Sequence, residues 1–120
     1  MIDVVMPVYL LNQELIDLTR AAVESLGQVS LIVIDNGSPQ GGGYLRSVAN
    51  TYVRNKENLG YAKAVNQGLK LRKSEYIAIV NNDVILSPNW QEVALEVLSE
   101  PKTYSCHFRM TDYDAPFEYG

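Results

Sequence analysis

The chain of 120 residues has room for one domain of ordinary size, and its 47% hydrophobic and 20% charged residues are typical of a globular protein. A net charge of −4 argues against a nucleic-acid partner, because clustered positive charge supplies most of the affinity for a phosphate backbone. No apolar run approaches the ~20 residues of a membrane span, and the N-terminus does not resemble a signal peptide, so we expect a cytoplasmic protein with no membrane span.

The apolar pattern switches repeatedly between strand-like and helix-like segments. In chain order it predicts a strand at 2–8, a helix at 15–26, a strand at 29–34, a helix at 44–50, a strand at 52–54, a helix at 61–72, a strand at 76–80, a helix at 88–98 and a strand at 104–110. Strands that alternate with helices predict an α/β fold with a mostly parallel sheet flanked by helices. No repeat or linker divides the chain, so we expect a single domain over 1–120.

Local signals refine the helices. Ser87 followed by Pro88 is a good N-cap and first-turn pair for the last helix, and Pro101 stops it. Gly68 lies inside the third helix, where glycine costs ~1 kcal/mol relative to alanine, so we expect a packing or ligand reason for it. The basic run at 70–73 is interpreted as the solvated end of that helix.

The last predicted strand contains Cys106, the only cysteine, so the chain has no intrachain disulfide. A catalytic cysteine needs a base nearby, and His107 is adjacent in sequence. Neighbouring residues of a strand point to opposite faces, however, so the two side chains are poorly placed to interact. We therefore expect Cys106 to be buried and inert.

Ligands of open α/β sheets bind outside the carboxyl ends of the strands, and this rule selects segments that follow the predicted strands. They are Pro7-Val8-Tyr9, the loop at 35–38 and Asn81-Asn82-Asp83. Two carboxylates, Asp35 and Asp83, are therefore expected to face one crevice. Each segment also has a plainer interpretation: the Asx residues could simply form turns, and Tyr9 could be a surface aromatic. The loop at 58–60 could likewise precede its helix without any ligand.

The two carboxylates suit different tasks. A hard dication such as Mg²⁺ or Mn²⁺ takes oxygen ligands and often keeps only one or two from the protein, so Asp83 could dock a metal-diphosphate. Asp35, at the end of the second strand, could accept a hydrogen bond from a base or a ribose hydroxyl. The signatures of P-loop, dinucleotide-binding, zinc-protease and serine-hydrolase sites are absent from the sequence.

Four spaced motifs together resemble family 2 glycosyltransferases. They are Met6-Pro7-Val8-Tyr9, the segment at 33–38, the pair formed by 58–62 and Asn66-Gln67-Gly68, and Glu75-Tyr76-Ile77 leading to Asn81-Asn82-Asp83. The last resembles the family's DxD-type motif in the NND variant common among rhamnosyltransferase-like members. The resemblance covers roughly residues 2–98 and leaves the role of 99–120 unclear.

This resemblance implies a GT-A fold that binds a nucleoside-diphosphate sugar, UDP- or dTDP-linked, together with Mg²⁺ or Mn²⁺. It implies that the base site is lined by Pro7, Val8 and Tyr9 and that Asp35 binds the base or ribose. It also implies that the nucleotide is flanked by Asn58, Gly60, Tyr61 and Lys63. Finally, it implies that Asn82 approaches the ribose or sugar and that Asp83 ligates the metal. The metal would neutralise charge on the departing diphosphate.

The chain departs from the family's pattern at its end. Family members generally continue into an acceptor-binding half that supplies a general base, and the late carboxylates Asp112, Asp114 and Glu118 match no motif, so no catalytic residue is assigned. His107 could be a late metal ligand, although a lone histidine on a strand is more often structural.

The leading hypothesis is thus a glycosyltransferase acting on an unknown sugar, lipid or protein acceptor. The alternatives are a non-catalytic nucleotide-sugar-binding module and an α/β domain that only makes protein contacts. If the chain is active, its acceptor site must come from the last residues, from a second copy in a homo-oligomer or from a partner.

Overall fold

The computed structural model describes residues 1–108. Its strands are β1 (Asp3–Val8), β2 (Ser30–Asp35), β3 (Thr51–Arg54) and β4 (Ile77–Ile79), and its helices are α1 (Gln13–Ser25), α2 (Gly42–Val48), α3 (Tyr61–Leu69) and α4 (Trp90–Leu98). The chain divides into two compact units, the first ending at Pro88 and the second beginning at Asn89. The assignment of 1–120 to a single domain stays a prediction.

The first unit is built on a four-stranded sheet in the order β3-β2-β1-β4, with every pair parallel. This confirms the predicted α/β fold with a mostly parallel sheet. All residues of β1 are buried, as expected for a strand flanked by neighbours on both sides and covered on both faces. Pro7 is opposite Ile34 of β2, but its nitrogen faces β4. A proline is tolerated there because the pairing between β1 and β4 ends at Val5.

One face of the sheet packs against α3. Val5, Ile32, Ile34 and Ala64 form a buried apolar cluster, and Val53, Leu69 and Ile77 pack around it. Burying a side chain of this size stabilises the fold by about 1.5–3 kcal/mol, so this cluster is a major source of the stability of the first unit. The next residues along the strands point to the opposite face and are equally buried.

The close approach of α3 to β1 explains the glycine inside that helix. A Cβ atom on Gly68 would overlap the side chain of Val5, which is completely buried and branched at Cβ. Packing is therefore a sufficient reason for Gly68, and no ligand is needed to account for it.

The amino end of the sheet is fixed by a buried carboxylate. Asp3 Oδ2 accepts hydrogen bonds from the backbone N–H groups of Lys73 (2.6 Å) and Ser74 (2.9 Å), and Asp3 Oδ1 accepts one from Ser74 Oγ (2.8 Å). Burial raises the pKa of Asp3, but hydrogen bonds from Ser74 and Lys73 outweigh it, so the pKa lies below the usual 3.8. The ionised carboxylate thus anchors the segment that leads into β4.

This anchor also accounts for a misplaced helix end. The apolar spacing predicted a helix as far as 72, but α3 ends at Leu69, because the chain must turn to bring the N–H groups of Lys73 and Ser74 to Asp3. The prediction for the last helix was wrong by a similar margin. Its cap position is Asn89 and not Ser87, and no side chain caps it.

The second unit differs most from the prediction. No strand forms over 104–108, where Tyr104 is 92% exposed and no other described strand pairs with the segment. Cys106 is half-buried and not buried as expected, and His107 is exposed. The ring of Phe108 packs edge-on against that of Trp90, with 6.2 Å between centroids. Residues 109–110 of the predicted strand and the late carboxylates Asp112, Asp114 and Glu118 lie outside the described residues.

We expect Gly68→Ala to lower the free energy of unfolding. Overpacking against Val5 costs about 1–3 kcal/mol, and the higher helix propensity of alanine returns only ~1 kcal/mol. Gly43→Ala is the matched control, because no atom lies within 4 Å of a Cβ at this position in α2, so this variant should be as stable as wild type or slightly more stable. Urea unfolding measures both, and equal stabilities for the two variants would contradict the packing argument.

We expect Asp3→Asn to destabilise the protein by about 1.5–3 kcal/mol near neutral pH, because hydrogen bonds to an ionised group are lost. Since the pKa of Asp3 is lowered in the folded state, its carboxylate stabilises the protein above the unfolded pKa near 3.8, and this contribution disappears as the pH falls through the folded pKa. The difference between wild type and variant should therefore shrink in acid. Urea unfolding at neutral and acidic pH, with the exposed Asp17→Asn as control, measures it; a pH-independent difference would contradict the assignment.

Candidate functional site

The carboxyl edge of the sheet gathers the segments selected from the sequence. Because the strands are parallel and in register, Val8, Asp35 and Arg54 lie side by side at the ends of β1, β2 and β3. After β4 the chain makes a turn at 81–84, closed by a hydrogen bond from the N–H of Val84 to the carbonyl of Asn81. Each predicted segment therefore lies at, or directly follows, the carboxyl end of a strand at this one edge.

Asp35 is the centre of a polar cluster at this edge. Its side chain is completely buried; Oδ1 accepts from the N–H of Ser38 (2.8 Å), and Oδ2 accepts from Tyr52 Oη (2.5 Å) and Arg54 Nη1 (2.9 Å). Burial raises the pKa of Asp35, but the bonds from Ser38 and Tyr52 and the charge of Arg54 outweigh it and hold the pKa below its usual value. The carboxylate is therefore ionised and acts only as an acceptor.

The partners of Asp35 are ordered by further contacts. Burial and the hydrogen bond to Asp35 raise the pKa of Tyr52, so its phenol keeps the proton that it donates. The guanidinium of Arg46 lies 5.2 Å from the centre of the Tyr52 ring. Arg54 also donates to the carbonyl of Ser38 (3.0 Å), and Ser38 Oγ accepts from the N–H of Leu10 (2.8 Å). The loop after β1 is thereby tied to the loop after β2.

The predicted base-site segment is only partly accessible. Pro7 and Val8 belong to β1 and are buried, whereas Tyr9 is the first residue beyond the strand and is 37% exposed. Of this segment, Tyr9 is thus the residue whose side chain can meet a ligand in the present conformation.

The loop before α3 is exposed. Asn58 Oδ1 accepts from the N–H of Gly60 (2.9 Å), a local turn, and Gly60 has φ +92°, a value that favours glycine. Tyr61 is 56% exposed, and Lys63 is also exposed, both in the first turn of α3. These side chains are available to a ligand at the carboxyl edge.

The turn after β4 places its two predicted site residues, Asn82 and Asp83, in different surroundings. Asn82 Nδ2 donates to Thr19 Oγ1 (2.9 Å), which fixes the turn to α1. Asp83 is exposed and makes no hydrogen bond or ion pair with another described residue. Both predicted carboxylates lie at this edge, but only Asp83 is open to solvent. Over residues 1–108 no three His, Cys, Asp or Glu side chains are grouped as a metal site.

Several residues of this edge were not predicted. Arg54 ends β3, and the rule that selects strand ends would have found it if it had been applied to that short strand. Tyr52 lies inside the strand, and this rule does not select it. Asn55 was missed because it lies in none of the motifs, and Gln67 was recognised within the motif Asn66-Gln67-Gly68 but was given no role. Thr19 lies on α1, far from Asn82 in sequence, and no local signal links them.

Two solved structures share the architecture of this chain. The chain superposes on the mannosyltransferase PcManGT from Pyrobaculum calidifontis, solved in complex with GDP-Man and Mn²⁺, with a TM-score of 0.69 and 22% identity over 83% of the chain and 32% of that protein. It superposes on S. aureus TarS 1-349 with a TM-score of 0.68 and 16% identity over 91% of the chain and 39% of the solved TarS chain. The fold is therefore of the GT-A glycosyltransferase type, as predicted.

The sequence places the chain within this class. Residues 3–120 match the sequence profile of glycosyl transferase family 2, and the chain belongs to that family. Glycosyltransferase GlyG of Streptococcus pneumoniae is 29% identical over an alignment of 107 residues that covers 83% of the chain and 36% of GlyG. The chain thus spans about a third of the length of these relatives. None of its helices within the described residues is long and apolar enough to cross a membrane.

We expect Tyr52→Phe to destabilise the protein by about 1.5–3 kcal/mol, because it removes one hydrogen bond to a buried ionised carboxylate while keeping the ring. Loss of this bond should also raise the pKa of Asp35. Tyr104→Phe is the matched control, since that phenol is almost fully exposed. Urea unfolding tests the effect, and the hypothesis fails if both variants are as stable as wild type.

Proposed function

We propose that this chain is the donor-binding part of a glycosyltransferase that transfers a sugar from a nucleoside-diphosphate sugar, UDP- or dTDP-linked, to a sugar, lipid or protein acceptor. The strand order carries the proposal. From β1 the chain winds outward through β2 and β3 and then returns to β4 on the other side of β1, so the topological switch point lies between β1 and β4. Open α/β sheets bind ligands in the crevice at this point. Tyr9 follows β1, and Asn82 and Asp83 follow β4.

A divalent metal fits the residues of the β4 turn. Asp83 is an exposed carboxylate with no described partner, as expected of a ligand for Mg²⁺ or Mn²⁺ that takes its other oxygens from phosphates and water. The solved mannosyltransferase with GDP-Man and Mn²⁺ supports this assignment. Such a metal would offset the charge that develops on the diphosphate as it leaves. We interpret Asn81-Asn82-Asp83 as the NND variant of the DxD motif, as in rhamnosyltransferase-like members.

The remaining site residues are proposed to bind the nucleoside. Tyr9 would cover the base, with Pro7 and Val8 shaping the wall behind it, and Asn82 would approach the ribose or sugar. Asp35 would meet the base or ribose, which requires Tyr52 or Arg54 to give way, because the carboxylate is completely buried with both present. The nucleotide would be flanked by residues of the loop before α3 and of its first turn, namely Asn58, Gly60, Tyr61 and Lys63.

A second candidate function is a nucleotide-sugar-binding module that performs no transfer. In the transferase proposal, the acceptor site comes from the last residues of the chain, from a second copy in a homo-oligomer or from a partner. Donor hydrolysis or transfer in a product assay decides between the two candidates. A cytoplasmic location stays a prediction.

We expect UDP or dTDP to bind with an affinity that Mn²⁺ increases at least about tenfold, since one carboxylate-metal-diphosphate link is worth more than a neutral hydrogen bond. Asp83→Ala should remove this metal-dependent increase and leave the weaker metal-free binding unchanged. Calorimetric titration of UDP, dTDP and GDP, each with and without Mn²⁺, measures both effects.

Asp17→Ala is the matched control and should behave like wild type, because it removes an exposed carboxylate that lies on α1, outside the proposed metal site. Binding that is equally metal-dependent in Asp83→Ala would sink the metal assignment. The absence of binding by every nucleotide, with and without Mn²⁺, would sink the proposed function itself.

A further inference from the structure

Three amide side chains form a connected relay beside the loop that precedes α3. Asn55, the first residue after β3, donates from Nδ2 to Gln67 Oε1 (2.8 Å) and accepts at Oδ1 from Gln67 Nε2 (2.8 Å). Asn55 Nδ2 also donates to Asn36 Oδ1 (2.9 Å). Asn36 in turn donates from Nδ2 to the carbonyl of Gly60 (3.2 Å), and its Oδ1 lies 3.4 Å from the N–H of Leu59. The relay thus runs from the middle of α3 to the loop at its start.

The relay has a fixed geometry for two reasons. Asn36 and Asn55 are buried, with 4% and 9% of their surfaces exposed, so their amides cannot exchange partners freely with water. Each amide also has one donor end and one acceptor end, so reversing one of them would break the bonds of its neighbours. The main chain holds both asparagines as well, through N–H bonds from Asn36 to Val8 and from Asn55 to Asp35.

The loop itself has few other supports. The bond between Asn58 and Gly60 is internal to it, and α3 begins without a side-chain cap. Gly37, with φ +81°, allows the backbone of Asn55, Lys56 and Glu57 to pass within 3.3 Å of where a Cβ would stand. Beyond this approach, the described hydrogen bonds that hold Leu59 and Gly60 from outside the loop and α3 come from Asn36.

We propose that Gln67, acting through Asn55 and Asn36, is a positioning residue that sets the conformation of the segment at 58–61 for nucleotide binding. Part of this inference rests on the proposed function, because it is there that the segment flanks the nucleotide. The inference also gives the Asn66-Gln67-Gly68 motif two separate tasks. Gly68 permits contact with Val5, and Gln67 controls the loop.

The test uses Gln67→Met in the full chain, because methionine has a similar length and helix propensity but cannot take part in the relay. The amides of Leu59 and Gly60 should exchange hydrogen about tenfold faster than in wild type, because losing the two bonds between Gln67 and Asn55 makes local opening of the loop more frequent. UDP should bind about tenfold more weakly, with its dependence on Mn²⁺ unchanged. Asn66→Met changes the exposed neighbour on the same helix and is the matched control.

A double-mutant cycle with Asn55→Ala separates positioning from general destabilisation. If both residues act through one relay, the double variant should bind UDP with the same affinity as the single variant that binds UDP more weakly. Additive losses of affinity would overturn the relay, and so would unchanged exchange at Leu59 and Gly60 in Gln67→Met. Faster exchange with unchanged UDP affinity would overturn the role in binding. If wild type binds no nucleotide, the proposed function fails, while the exchange measurement still decides whether Gln67 positions the loop.

Discussion

The carboxylate of Asp35 must remain ionised in a place that water does not reach, and much of the carboxyl edge is arranged to satisfy it. Its donors come from the loop after β2 and from β3. Because Ser38 also accepts hydrogen bonds from Leu10 and Arg54, the loops after β1 and β2 and the end of β3 are joined around this carboxylate. An unpaired buried charge is far more costly than a paired one, so these loops are held together by the need to keep Asp35 paired.

Two polar clusters divide the carboxyl edge between the faces of the sheet. The last residue of β2, Asp35, bonds to Tyr52 and Arg54 of β3. The residues directly after the two strands, Asn36 and Asn55, point to the other face and bond to each other. The first network holds the loops of β1 and β2, and the second connects the sheet to α3 and the loop before it. The exposed groups, Tyr9, Tyr61 and Asp83, stand on segments that these networks or the Asn82 to Thr19 bond hold in place. This is the arrangement expected of a preorganised binding site, in which ordering is completed on folding.

The parts of the fold that depend on local sequence were predictable, and those that depend on distant partners were not. The strands and the first helices follow from apolar periodicity, and the carboxyl-edge rule selected Tyr9, Asp35 and Asp83. The end of α3 was misplaced because Asp3, about seventy residues away in sequence, draws the chain out of the helix. The burial of Asp35 was equally hidden, since its partners Tyr52 and Arg54 lie in a short strand whose pairing is visible only in the folded sheet.

The proline in β1 has a consequence for the shape of the crevice. The β1-β4 ladder runs from the bond between the Asp3 N–H and the carbonyl of Tyr76 to the bond between the Val80 N–H and the carbonyl of Val5. Continuing the same register, the next bond would need an N–H on Pro7 aimed at the carbonyl of Val80, and proline has none. The pairing between the two strands therefore ends at this point, and the chain beyond β4 forms its turn. The missing N–H of Pro7 thus ends the hydrogen bonding between β1 and β4 at Val80, and this opens the crevice between the two strands at the carboxyl edge.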